Sequence, residues 1–151
     1  MKDLKIGFIG VGNMASAIVE GIVAKEFVSG SQVYLFDILT EKVQQFAGTL
    51  GAHAMNSPEE VIANVDVLVL AVKPNIVRTA LLNAKEGILE KQPLLVSIAA
   101  GTTTEAIYDI FETNQPVKVV RVMPNVNAMI GEGAAAVCGN KFATKEDVSL
   151  I

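Results

Sequence analysis

The sequence has little of the chemistry that metal centres and disulfide frameworks need. Its 151 residues include one cysteine, Cys138, one histidine, His53, and no tryptophan. A single cysteine cannot form an internal disulfide, and a single histidine cannot build a site with several histidine ligands. We therefore predict no metal site, an ordinary structural role for both residues, and a reducing, cytoplasmic environment.

Positive charge and long apolar runs are also scarce. Lys and Arg number 12 against 16 Asp and Glu, which gives a formal net charge of −4. Without a cluster of basic residues, the chain lacks the surface that a nucleic acid or an anionic membrane attracts. No apolar run approaches the roughly 20 residues that span a bilayer. Asp3 and three glycines interrupt the first apolar stretch, so we expect no export signal. We expect no nucleic-acid partner and no membrane insertion.

What the sequence does contain is a large share of aliphatic residues, since 51% of it is hydrophobic and only 5% aromatic. This length and composition fit one domain, residues 1–151, with a core of Val, Leu, Ile and Ala. Short apolar runs recur, and most do not alternate with polar residues, which is typical of parallel strands covered on both faces. We predict strands at Leu4–Ile9, Val33–Phe36, Ala52–Ala54, Asp66–Ala71, Leu94–Ser97 and Lys118–Val122, then a turn at Met123–Ala128 and a further strand at Ala134–Cys138.

Helix-start signals lie between these runs. Ser57, with Pro58 next and Glu60 three positions on, has the pattern of a capping box. The same logic is repeated by Thr102 with Glu105 and by Thr144 with Asp147. Strand and helix therefore alternate, which predicts an α/β fold of the Rossmann type: a doubly wound, mainly parallel sheet with helices on both faces.

A glycine motif follows the first predicted strand directly. Gly10–Ala15 reads G-x-G-x-x-A and opens an amphipathic helix whose apolar face begins with Ala15, Ile18 and Val19. The first glycine permits a tight turn, the second lets backbone approach a pyrophosphate, and the small Ala15 lets helix and strand pack closely. The motif favours dinucleotide binding over a bare structural turn.

An acid stands where such a motif expects one. Asp37 ends the second strand, 22 positions past Ala15, and its carboxylate is suited to accept hydrogen bonds from the adenosine ribose and to repel a 2′-phosphate. That favours NAD over NADP. The alternative role is a turn or helix cap before Thr40. Because Lys42 could still reach a phosphate, the cofactor remains NAD or NADP at this point.

Polar and small residues follow six different predicted strands. Open α/β sheets bind ligands outside the carboxyl ends of their strands, so these residues should meet at one edge. They are Gly10–Ala15, Asp37, Asn56, Lys73-Pro74, Ala99–Thr102 and Met123–Asn125. Taken singly, Lys73 fits a solvated rim cation, and Asn56 and Asn125 fit turn residues.

Four segments in this order resemble the Δ1-pyrroline-5-carboxylate reductase family. They are Ile6–Ala15, Ala71–Pro74, Ser97–Gly101 and Arg121–Asn125. The resemblance implies NAD(P)H-dependent reduction of a cyclic imine to L-proline, a small-molecule substrate, and a homo-oligomeric enzyme. It also implies the residues that contact the cofactor: Ile9, Gly10, Val11, Gly12, Asn13, Met14, Asn56, Ala71, Val72, Lys73, Pro74, Ile98, Ala99 and Ala100, with Asn125 near the nicotinamide.

The sequence departs from this family in three ways. Val126-Asn127 stands where Thr-Pro commonly follows Met-Pro-Asn, and Asp37 stands where Ser or Asn-Arg is common. The all-helical domain that supplies most imine contacts is absent, so we expect residues 144–151 to begin a helix leading to it and the 151 residues alone to be inactive. We assign no catalytic residue. The alternatives are another reductase of this group, such as a hydroxyacid or prephenate dehydrogenase, and a nucleotide-sensing module without turnover.

Overall fold

A computed structural model describes residues 4–25, 28–98, 103–111, 117–124 and 135–139. Within these ranges the predicted strands are present, with ends that differ by one or two residues. They are β1 (Ile6–Ile9), β2 (Val33–Phe36), β3 (His53–Ala54), β4 (Val67–Leu70), β5 (Leu94–Ser97), β6 (Val119–Pro124) and β7 (Ala135–Gly139).

The strands form one sheet in the order β3-β2-β1-β4-β5-β6-β7. The first six are parallel, and β7 pairs antiparallel with β6. The order reverses beside β1, because β2 lies on one side of it and β4 on the other. The predicted doubly wound, mainly parallel Rossmann-type sheet is confirmed, and β1 marks the switch point at which such sheets bind ligands.

Helices cover both faces of the sheet. They are α1 (Asn13–Ala24), α2 (Thr40–Leu50), α3 (Pro58–Asn64), α4 (Val77–Lys91) and α5 (Thr104–Ile110), with short 3-10 turns at Gly30–Gln32 and Pro74–Ile76. Along β1, β2, β4 and β5, side chains alternate between two buried clusters. One cluster packs under α1 and α2 and includes Phe8, Leu35 and Val69; the other packs under α3, α4 and α5 and includes Leu68 and Leu95.

The helix starts predicted from the sequence are confirmed in part. The Ser57 Oγ accepts a hydrogen bond from the Glu60 amide at 3.2 Å, which confirms the predicted cap of α3. The Glu60 carboxylate accepts from the Asn56 amide and not from that of Ser57, so the box closes one residue earlier than predicted.

The cap predicted at Thr102 is wrong by one position. Thr103 is the N-cap of α5, and its hydroxyl accepts from the Ala106 amide at 3.0 Å. Thr104 is therefore the first residue of the helix, and its side chain is buried. The helix predicted to begin at Thr144 lies outside the described residues.

Strand β6 also runs further than the sequence predicted. Met123 and Pro124, expected to open a turn, pair instead with Ala136 and Ala135 of β7. The antiparallel partner lengthens β6 because it supplies hydrogen-bonding groups beyond the end of β5. Pro124 occupies the last position of the strand, where its missing N–H costs the ladder least.

The other edge of the sheet is short. Strand β3 has two residues, and its His53 pairs with Tyr34 of β2. The two rings stack with their centroids 4.5 Å apart, and the His53 Nε2 lies 3.0 Å from the Ser31 carbonyl oxygen. His53 thus lies in the edge strand of the sheet.

Candidate functional site

The first glycine of the motif lies in the tight turn that the sequence predicted. The Gly10 amide donates to the Phe36 carbonyl oxygen at 2.8 Å, which ties the turn to the end of β2. Gly10 has a φ of +97°, and a Cβ built on it would lie 2.7 Å from the Ala71 carbonyl oxygen. Both the backbone conformation and the close approach of the chain after β4 therefore require glycine.

The second glycine stands at open space. Gly12 is the N-cap of α1, and a Cβ built there would meet nothing within 4 Å. The helix start has no side-chain cap and no acid in its first turn. Amides at such a helix start bind phosphate groups well, and the open space leaves room for one to approach the backbone. The residues present therefore fit the pyrophosphate of a dinucleotide.

The rest of the helix is held close to the sheet, as the motif predicts. Ala15 and Val19 are fully buried, and Ile18 and Ile22 pack at the border of the same cluster. This apolar face fixes the position of the α1 N-terminus relative to the ends of the strands. The position of this helix start is thus set by packing within the described part of the domain.

Asp37 lies directly after β2 and makes two backbone contacts. One carboxylate oxygen accepts from the Val11 amide at 2.7 Å, and the other accepts from the Leu39 amide at 3.1 Å. The second contact is the turn role that the sequence allowed, since Leu39 is the N-cap of α2. The sequence did not predict the contact with Val11, which joins Asp37 to the glycine loop, residues Gly10–Gly12.

The neighbouring strand ends reach the same edge. The Ala71 amide donates to the Ile9 carbonyl oxygen at 2.9 Å, and the Ile98 amide to that of Leu70 at 3.2 Å. These bonds continue the parallel pairing one residue past the strands and align β1, β4 and β5 at a common level. Ala71, Val72 and Ile98 are half-buried there.

The remaining predicted residues divide into three groups. Lys73 is exposed just before the Pro74–Ile76 turn, and Asn56 is exposed after β3, with its amide bonded to Glu60. The backbone of Asn13 and Met14 lies at the start of α1, and the backbone of Pro74 begins that turn. Ala99, Ala100 and Asn125 lie outside the described residues.

Sequence reasoning missed two apolar residues beside Asp37. Ile38 is 84% exposed and Leu39 is 59% exposed, which are unusual values for large aliphatic side chains. The signal was available, because turns between a strand and a helix are mostly polar and this one is Asp-Ile-Leu. The two side chains form an apolar surface next to the carboxylate that the sequence assigned to the ribose.

The described residues also bear on metal sites and membrane spans. No group of three or more His, Cys, Asp or Glu side chains that could hold a metal ion occurs among them. Within the same ranges, no helix is long and apolar enough to cross a membrane.

Comparison with protein families identifies the domain. The family described as "NADP oxidoreductase coenzyme F420-dependent" matches residues 5–101, which include the glycine loop, Asp37 and the ends of β4 and β5. The chain belongs to this family. Its Rossmann-type fold, in which the strand order reverses beside β1, agrees with that membership.

Individual relatives give a finer likeness. The chain is 35% identical over 147 residues to a pyrroline-5-carboxylate reductase of Escherichia coli, covering 97% of this chain and 54% of that protein. A solved pyrroline-5-carboxylate reductase of Coxiella burnetii superposes with a TM-score of 0.90 at 30% identity, covering 99% of this chain and 54% of that one.

A second structure, the Plasmodium falciparum pyrroline carboxylate reductase with NADP bound, superposes with a TM-score of 0.83 at 30% identity. The match covers 97% of this chain and 52% of that one. The chain thus spans about half the length of the family relatives it matches here.

Proposed function

We propose that the protein containing this chain reduces Δ1-pyrroline-5-carboxylate to L-proline with NADH or NADPH, and that residues 1–151 bind the cofactor. Cofactor binding is supported most by the open space at Gly12, beside a helix start without a side-chain cap. The likeness to pyrroline-5-carboxylate reductases over 97% of the chain supports the choice of substrate.

The cofactor would lie along the carboxyl edge of the sheet. Its pyrophosphate would contact the amides from Gly12 to Met14, and Ile9, Gly10 and Val11 would form the turn beneath it. The nicotinamide half would extend past β4 and β5, over Ala71–Pro74 and Ile98–Ala100, toward Asn125. This path follows the parallel strand ends, which is where doubly wound sheets bind nucleotides.

The adenosine half would lie beside β2 and β3. Asp37 would accept from the ribose hydroxyls, Ile38 would pack against the adenine face, and Asn56 would lie beyond them. Ile38 supports this placement because burying its exposed side chain against an aromatic ring would remove apolar area from water. A 2′-phosphate would meet the Asp37 carboxylate, so we propose that NADH is preferred, with the exposed Lys42 of α2 a cation that could still contact NADPH.

When bound, the reduced nicotinamide supplies a hydride for the imine carbon, and the imine nitrogen of the substrate takes a proton. The chain's own residues orient the cofactor and hold its charges. We propose no proton donor among residues 1–151. The substrate contacts and a homo-oligomer interface would come from a helical domain following this one, with residues 144–151 beginning its first helix. We further propose a cytoplasmic location, with no nucleic-acid or membrane partner.

The experiment has two arms. Titration of the protein with NADH and NADPH should give saturable binding that competes with pyrophosphate-containing nucleotides. Cofactor oxidation should then depend on added pyrroline-5-carboxylate and yield proline. Binding without turnover of this imine, but with turnover of another imine or a hydroxy acid, would show that the substrate is wrong. Binding without any turnover would indicate a nucleotide sensor, and absence of binding would contradict the whole proposal.

A further inference from the structure

One carboxylate joins two backbone segments that are far apart in sequence. Asp37 accepts from Val11, 26 residues earlier in the glycine loop, and from Leu39, which begins α2. The two bonds use different oxygens of the carboxylate, and the one to Val11 is the shorter at 2.7 Å. The side chain therefore links the glycine loop to the start of α2.

A carboxylate suits both contacts because it offers a separate acceptor oxygen to each amide. Each amide is a donor, so both side-chain atoms that face them must be acceptors. Asparagine has one acceptor oxygen and would turn an NH₂ group toward the other donor, and serine has a single oxygen. Hydrogen bonds to an ionised group are roughly twice as strong as neutral ones, and the bond to Val11 is partly buried.

The bond also decides which amides remain for a ligand. The Gly10 amide is bonded to the Phe36 carbonyl oxygen and the Val11 amide to Asp37. Contacts to a phosphate therefore fall to the amides from Gly12 onward, at the open space above α1. The position of those amides depends on the two bonds that fix the residues just before them.

We propose that Asp37 is a positioning residue for the glycine loop, in addition to any contact with the ribose. It holds the Val11 amide, and with it Gly12 and the start of α1, in the conformation that accepts a pyrophosphate. A loop fixed before binding loses less conformational freedom when the ligand arrives. This inference rests on the proposed function, since it concerns the same cofactor site.

The two roles of Asp37 separate with a ligand that has no ribose. We would measure the Kd of inorganic pyrophosphate, by its displacement of NADH, for the wild-type protein and for Asp37→Asn and Asp37→Ser. Loss of a charge-assisted bond that positions the loop should weaken pyrophosphate binding about tenfold, and NADH by at least as much. If Asp37 only reads the ribose, pyrophosphate binding stays within twofold of wild type while NADH weakens, and the inference is wrong.

Asp66→Asn is the matched control. Its carboxylate also accepts a backbone N–H, that of Lys5 at 3.1 Å, but at the amino end of β1 and β4. This variant should leave the Kd of pyrophosphate and NADH within twofold of wild type. An equal loss of binding in Asp66→Asn would show a general effect on the sheet and would overturn the specific role of Asp37.

Hydrogen exchange gives a readout without cofactor or substrate. In the ligand-free protein, peptides covering Gly10–Gly12 should exchange faster in Asp37→Ser than in wild type or Asp66→Asn, while peptides from β4 and β5 stay unchanged. Unchanged exchange in the loop would overturn the inference even if NADH binding fell. Conversely, faster loop exchange in a protein that binds no NADH would leave the positioning role in place and reject the proposed function.

Discussion

Gly7 of β1 lies directly against Val61 of α3. A Cβ built on Gly7 would overlap the Val61 Cγ1 methyl and come within 2.9 Å of the Val65 Cγ1. The helix that leads from β3 across to β4 can therefore pack on the central strand only because residue 7 has no side chain. This contact lies under the glycine loop, which begins three residues later.

Gly7→Ala should destabilise the fold by about 1 to 3 kcal/mol, because valine is stiff at χ1 and cannot move its methyl aside without a shift of α3. Urea unfolding followed by circular dichroism measures this. Adding Val61→Ala removes the overlapping methyl. The double variant should therefore lose less unfolding free energy than the two single variants lose in sum. Strict additivity would mean that the two residues do not press on each other.

Gly12→Ala should fold normally and bind the cofactor poorly. Its φ of −84° suits alanine and the Cβ meets no protein atom, but the methyl would occupy the space left for the pyrophosphate. We expect the Kd of NADH to rise about tenfold or more, which is 1.4 kcal/mol or above. Gly48→Ala, at an exposed and open position of α2, is the control: it should add about 0.5 to 1 kcal/mol of stability without changing the Kd. An unchanged Kd of NADH in Gly12→Ala would show that the pyrophosphate does not bind beside Gly12.

Asp37→Ser should shift the ratio of the two cofactor affinities toward NADPH. Removing the carboxylate deletes acceptors for the ribose hydroxyls and a negative charge near a 2′-phosphate, and we expect the ratio of NADH to NADPH dissociation constants to rise roughly tenfold. Fluorescence titration with both cofactors measures it, with Asp66→Ser as the comparison. A ratio equal to that of wild type would show that Asp37 does not read the ribose.

Ile38→Ser tests the apolar surface beside Asp37. Because this side chain is 84% exposed, the substitution should change the free energy of unfolding by no more than about 0.5 kcal/mol. Binding of adenine nucleotides should weaken several-fold, since the adenine face loses its apolar contact. Leu82→Ser, 43% exposed in α4, is expected to leave binding unchanged. Equal affinities for Ile38→Ser and wild type would place the adenine elsewhere.

Ser57→Ala should cost about 1 kcal/mol, the usual effect of losing an N-cap side chain. The Glu60 amide would lose its partner at the start of a helix only seven residues long. Ser57→Asp keeps an acceptor at the same place and should retain most of the stability. Thermal unfolding of the two variants distinguishes the cap from the serine itself.

Much of this fold could be predicted because its signals are local. The apolar runs of β4 and β5 and the glycine spacing after β1 each lie within a few residues of sequence. Thr103 could not be separated from Thr102, because consecutive threonines offer the same capping oxygen, and only the folded helix shows which of them the Ala106 amide reaches. The extension of β6 through Pro124 depends on pairing with β7, which local propensity does not record.

The geometry of the candidate site could be predicted in part. The spacing of Gly10, Gly12 and Asp37 predicts that they lie close together, and the parallel sheet brings the ends of β1, β2 and β4 to one edge. The bond between Val11 and Asp37 could not be read from the chain, because it requires Ile9 and Phe36 to lie side by side in the final register. The exposure of Ile38 likewise emerges only when the turn is folded.

The brevity of β3 has a consequence for how copies of this domain meet one another. An edge strand with many unpaired amides and carbonyls is a template on which another strand can add, and long flat edges lead to aggregation. Here that edge offers two residues, His53 and Ala54, and the stacked ring of His53 covers the neighbouring Tyr34. A second molecule would gain too few backbone hydrogen bonds to extend the sheet on this side, which protects the domain from strand-to-strand association there.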